Sequence, residues 1–82
     1  MAVDVVLEHV LLLNLRHAPL TRTELARRTS ASERTVQAAL DELVGDTYVV
    51  RRPQQGMPAE YELSAAGSMR LKVVAELAES PS

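Results

Sequence analysis

The stretch LTRTELARRTSASERTVQAALDEL, residues 20–43, holds two helix starts separated by a short polar break. Thr21 is followed three residues later by Glu24, the spacing of a capping box. The threonine oxygen accepts an unpaired amide of the first turn, and the glutamate reaches back to the threonine amide. Leu25 and Ala26 then sit within a helix that runs to about residue 29. Thr29, Ser30 and Ala31 are too few and too polar for a strand, and they read as a turn. Ser32 caps a second helix, in which Val36, Leu40 and Leu43 recur at i, i+4 and i+7. Val36, Ala39, Leu40 and Leu43 are expected to turn inward, leaving Arg34, Thr35, Gln37, Ala38 and Asp41 outside.

Two short helices joined by such a turn form a helix-turn-helix, whose second helix can enter a DNA major groove. Downstream come TYVVRR (47–52), a polar loop PQQGMP (53–58), AEYELS (59–64) and AAG (65–67) opening a last helix. In that order these pieces resemble a winged helix-turn-helix domain, and are most similar to small bacterial and archaeal regulators of the MarR, PadR and HxlR type. The resemblance spans roughly residues 19–77. Its most specific parts are Tyr61-Glu62-Leu63-Ser64 followed by Gly67, and the 20–43 block. The implied fold is α+β and mostly helical: a three-helix core, a two-stranded β wing and a C-terminal helix. One domain covers residues 1–82, with a first helix at 3–17, the helix-turn-helix at 21–44, the wing hairpin at 47–63 and the last helix at 64–79. Leu20 stands where such domains often put a minimal first strand.

The resemblance also implies a partner, duplex DNA, and a set of residues to meet it. On the second helix these are Ser32, Arg34, Thr35, Gln37 and Ala38. Arg34 can pair bidentately with guanine and Gln37 with adenine, while Thr35 can touch a thymine methyl or a phosphate. Ser30 and Ser32, with their backbone amides, are placed to hold a phosphate at the helix start. Arg22, Arg27 and Arg28, then Arg51, Arg52, Gln54 and Gln55 at the wing, complete the expected phosphate and groove contacts. Adjacent strand residues point to opposite faces, so at most one of Arg51 and Arg52 aims straight at DNA. Glu33 at the helix start complements the helix dipole, and Asp41 and Glu42 fall where the helix leaves the groove. Gly45 is the natural left-handed cap of this helix, although relatives commonly place that glycine at the position of Thr47.

Composition sets the frame for this reading. Eighty-two residues give one small core, with no cysteine for a disulfide or thiolate site and neither Phe nor Trp, so the core must be aliphatic. The net charge of −2 does not suggest nucleic acid, but the charges are unevenly spread. Residues 21–58 carry six arginines against five acids, whereas both flanks are net acidic. No apolar run approaches the roughly 18 residues of a membrane span, and the start lacks the basic residues of a signal peptide. A soluble cytoplasmic protein that does not engage membranes is therefore expected.

In the first helix Val3, Val6, Leu7, Val10, Leu11 and Leu13 gather on a broad face expected to join the core. Val5, Leu12 and Leu15 lie on the other side. Asp4 is a candidate cap, and Pro19 ends the segment. In the last helix, capped by Ser64, one stripe holds Leu71, Val74, Ala75 and Ala78 and another holds Ala66, Met69, Val73 and Leu77. Helices apolar on two sides are usually covered on two sides. A homodimer is expected, with Val5, Leu12, Leu15, Met69, Val73 and Leu77 at its interface; the resemblance points the same way.

Catalytic chemistry finds little to rest on. His9 and His17 are eight apart with no cysteine nearby, no phosphate-binding loop or dinucleotide fingerprint occurs, and no nucleophile–His–acid set stands out. Gly56 and Gly67 read as isolated turn or cap glycines. No metal, cofactor or small-molecule ligand is expected. The reading is a sequence-specific DNA-binding regulator; the rival class is a winged-helix protein-interaction module, because a fold does not fix a function.

Overall fold

The computed structural model describes residues 5–79, with side chains to residue 77. Val3, the Asp4 cap and the tail from residue 80 lie outside the described residues, as does the side chain of Ala78. The element order is α1 (Val5–Leu15), β1 (Leu20–Thr21), α2 (Arg22–Thr29), α3 (Glu33–Gly45), β2 (Val49–Gln54), β3 (Met57–Leu63) and α4 (Ala65–Glu79). This is a winged helix-turn-helix: α1, α2 and α3 pack together, and β1, β3 and β2 form an antiparallel sheet in that order.

Local chemistry accounts for the central elements. Thr21 and Glu24 close the capping box: the Glu24 amide donates to Thr21 Oγ1 at 3.2 Å and the Thr21 amide to Glu24 Oε1 at 2.9 Å. The Thr21 amide and hydroxyl hold the Glu24 carboxyl below its ordinary pKa, with Arg28 and Arg27 adding to the effect. Ser30 ends α2 in the left-handed region at φ 60°. Ser32 then caps α3 by accepting the Thr35 amide at 3.1 Å. Val36, Ala39, Leu40 and Leu43 are buried beneath α3, as its periodicity predicts.

The end of α3 corrects the sequence expectation. Gly45 is the last helical residue and has no positive φ; the left-handed residue is Thr47, at φ 67°. The Thr47 amide donates to Val44 O and the Tyr48 amide to Leu43 O, both at 3.0 Å. That is the hydrogen-bond pattern of a Schellman motif with Thr47 in the place usually held by glycine. Two carbonyls of the last turn need those two amides, and only a left-handed residue at 47 brings them round.

The wing is longer and its loop tighter than expected. Residues 53–58 are not all loop: Gln54 pairs with Met57, leaving Gln55 and Gly56 as the connection, with Gly56 at φ 74°. The register shifts between the Arg52–Glu60 and Gln54–Met57 pairs, so Pro58 and Ala59 oppose the single residue Pro53. That bulge accommodates two prolines that cannot donate to a ladder.

α1 differs in which side it buries. Leu11, Leu12 and Leu15 are in the core, whereas Val6 is 72% exposed. Leu12 and Leu15 are therefore unavailable to a second chain, and the expected assignment of these two residues to a dimer interface is corrected. α1 is apolar nearly all round, so its own sequence does not choose a face; packing against α2, α3 and α4 does. On α4, Leu71 is buried, Ala75 is exposed, and Met69, Val73 and Leu77 remain open to solvent.

α4 starts on a tight junction. Ser64 Oγ accepts the Gly67 amide at 3.0 Å and donates to Thr47 O at 2.6 Å. A Cβ on Gly67 would lie 2.1 Å from the Tyr48 carbonyl oxygen. Gly67 is thus a close-approach glycine that lets the first turn of α4 lie on the chain leaving α3.

Candidate nucleic-acid interface

The outward face of α3 begins at its capped end. Ser32 Oγ donates to Thr35 Oγ1 at 2.8 Å, so the two hydroxyls brace each other beside the first free amides of the helix. Arg34, Thr35 and Ala38 are exposed on the following turns. Arg34 has no hydrogen bond or ion pair among the described residues, and its guanidinium projects from a helix whose opposite side is wholly buried.

The wing lies alongside. Arg51 pairs with Tyr61 across the ladder, so it shares the sheet face that carries Val49 and Tyr61. Arg22, Thr23, Gln37, Arg51, Pro58, Ala59 and Tyr61 surround a polar depression of about 250 Å³ between the helix-turn-helix and the sheet. α3 and the wing thus flank one groove, with Arg51 on its wall. Arg52 stands on the other face and forms an ion pair with Glu62. The structure so separates the two wing arginines, as strand alternation requires.

Several expected contact residues have internal partners. Arg22 Nε donates to Glu33 Oε1 at 3.2 Å and Arg22 Nη1 to Gln37 Oε1 at 3.0 Å. Thr23 Oγ1 donates to the same Glu33 oxygen at 3.1 Å. Gln37 Nε2 donates to Asp41 Oδ1 at 2.8 Å and to Tyr61 Oη at 3.2 Å. Glu33 therefore does more than complement a dipole: it ties the start of α3 to the start of α2. The Gln37–Asp41 bond follows from their i, i+4 spacing. The links from Gln37 to Arg22 and Tyr61 join residues 15 and 24 positions apart, which local periodicity does not reveal.

Arg27, Arg28, Arg34 and Arg51 have no ion-pair partner among the described residues, and all four are exposed. Ser30 is exposed at the turn, Gln54 half-buried on the wing, and Gln55 exposed at its tip. The tip between residues 53 and 58 carries no charge at all. Among the described residues no group of three or more His, Cys, Asp or Glu could hold a metal ion, and no helix is long and apolar enough to cross a membrane.

No family model matches this sequence, and no curated protein matches it by sequence. Solved structures do match its fold. The transcriptional regulator BldR from Sulfolobus solfataricus superposes with a TM-score of 0.79 at 22% identity, covering 85% of this chain and 52% of that one. The oxidised form of MarR from E. coli gives 0.78 at 24% identity, again covering 85% and 52%. The reduced form of the transcriptional regulator YodB from B. subtilis gives 0.76 at 20% identity, covering 85% and 72%. The chain thus spans about half the length of the first two, and what it shares with all three is the winged helix-turn-helix fold.

Proposed function

We propose that this chain binds double-stranded DNA as a homodimer and acts as a transcriptional regulator. The observation that carries the reading is a pair of exposed arginines with no ion-pair partner among the described residues, Arg34 on the outer face of α3 and Arg51 on the wing wall of the groove beside it. A helix whose buried stripe is complete and whose outer face carries a free arginine suits the major groove. A neighbouring strand with a second free arginine suits the phosphates beside it. Fold neighbours described as transcriptional regulators support the same reading.

Arg27, Arg28 and Arg51 supply phosphate contacts, with lesser help from Arg22 and Arg52, whose charges are already shared with Glu33 and Glu62. Ser30 and Ser32 present hydroxyls near the α3 amides, and Gln54 and Gln55 offer uncharged hydrogen-bonding groups at the wing tip. In the homodimer, Val5, Met69, Val73 and Leu77 pack against a second copy; all four are exposed, Leu77 at 71%. Two copies related by a twofold axis would present their α3 helices to half-sites about 10 bp apart, so a palindromic target is expected.

Fluorescence anisotropy with a random-sequence duplex tests the DNA reading. With about four phosphate contacts per copy, and so about eight in the dimer, affinity should fall on the order of ten-thousandfold between about 50 and about 200 mM salt. Arg27→Ala/Arg51→Ala should flatten the log–log salt slope by about two units per copy. Failure to bind duplex at low salt would shift the assignment to a protein-interaction module, a role that the exposed aliphatics of α4 also suit. Sedimentation equilibrium of the chain and of Val73→Ser/Leu77→Ser tests the dimer: the variant should be monomeric where the unaltered chain is not.

A further inference from the structure

Gln37 occupies an outward position on α3 where a glutamine is expected to read adenine. Bidentate readout of that base needs a free amide hydrogen and a free carbonyl oxygen presented together. No amide hydrogen is free, and the carbonyl oxygen is already engaged. Both Nε2 hydrogens are donated, one to Asp41 and one to Tyr61, and Oε1 accepts from Arg22. Gln37 is half-buried as well, whereas Arg34 and Ala38 beside it are exposed. Turning Gln37 toward a base would break three hydrogen bonds and leave the hydroxyl of Tyr61, a residue only 4% exposed, without its amide partner.

We infer that Gln37 is a positioning residue and that base discrimination by α3 rests on Arg34, which selects guanine. This inference rests on the DNA-binding reading above. The network around Gln37 joins every element bordering the groove: α2 through Arg22, the sheet through Tyr61, and the next turn of α3 through Asp41. Arg22 is in turn held by Glu33, which also accepts from Thr23. Six side chains from three elements thus fix how α3 sits against the sheet, and with it the direction in which Arg34 projects. Arg34, with no partner of its own among the described residues, keeps its full fork of donors for the O6 and N7 of a guanine.

The test is selection from a randomised duplex library, followed by anisotropy on the selected and on a scrambled site. It uses the unaltered chain, Gln37→Ala, Tyr61→Phe, their double variant and Arg34→Ala. Gln37→Ala and Tyr61→Phe should select the same sequences as the unaltered chain and bind every duplex about threefold to tenfold more weakly. The double variant should bind no more weakly than the weaker of the two single variants, because both changes remove the same link. Arg34→Ala should lose a guanine preference of about tenfold or more. The inference is overturned if Gln37→Ala relaxes the preference at a single base pair, or leaves both affinity and preference unchanged. If the unaltered chain binds no duplex at low salt, the DNA reading itself fails and takes this inference with it.

Discussion

The groove side of the molecule and the α1–α4 side are built from different chemistry. Around the groove the polar side chains complete one another: Thr21 with Glu24, Ser32 with Thr35, Arg22 with Glu33 and Gln37, Gln37 with Tyr61. What stays open there is charge, on Arg34 and Arg51. On the α1–α4 side what stays open is aliphatic surface, on Val5, Val6, Met69, Val73 and Leu77. An apolar crevice of about 280 Å³ lies between these helices, with Arg70 stacked 5.4 Å from the Tyr48 ring at its edge. Open charge suits a polyanion and open aliphatic surface suits a protein, so one small fold offers two kinds of partner two different sides.

The difference can be broken most sharply inside α1. Leu12 belongs to the monomer core and not to an interface, so Leu12→Ala should cost about 3 kcal/mol of unfolding free energy at any protein concentration. Urea unfolding at two concentrations separates that result from an interface effect, which would vary with dilution. The junction between the two sides comes next. Gly67→Ala forces a methyl group against the Tyr48 carbonyl, and a loss of about 2 kcal/mol is expected from the same assay. A change in the opposite direction is expected at Thr47: placing glycine in this left-handed position should stabilise the chain by about 1 kcal/mol. A fall in stability there would show that the threonine side chain contributes something its backbone strain conceals.

The smallest expected effect concerns pH and belongs to the groove side alone. The Glu24 carboxyl has a lowered pKa in the folded state, so its contribution is present above the unfolded value and is lost as pH falls through the folded one. Glu24→Gln should remove that part of the acid-induced loss, leaving a flatter stability profile through the carboxylate range. Unfolding midpoints measured from neutral pH downward check it; an unaltered profile would mean that the capping box adds nothing titratable.

Much of the groove side is legible in the sequence because each signal there is local. The capping pair is three residues apart, and the buried stripe of α3 alternates with polar neighbours, so periodicity alone selects Val36, Ala39, Leu40 and Leu43. α1 gives no such contrast: with leucine and valine on every side, Leu12 and Leu15 look as free as Val5, and only tertiary packing distinguishes them. The cap of α3 is misleading for another reason. Glycine is favoured at a left-handed cap but not required, and the Schellman hydrogen bonds hold Thr47 there while Gly45 stays helical. The loop of the wing looks long because two prolines suggest a break, whereas a bulge absorbs them. Arg34 and Arg51 are recognisable as exposed arginines from pattern alone. That Gln37 and Arg22 are occupied by distant partners depends on contacts between elements, which no spacing rule encodes.

The measurement that bears most directly on the central claim is backbone amide NMR of the labelled chain titrated with a short duplex. The account predicts shifts concentrated at residues 30–38 at the start of α3 and 51–57 on the wing, with the exposed residues of α1 and α4 unmoved. Shifts confined to Val5, Val6, Met69, Val73 and Leu77, or no shift at any residue, would contradict it.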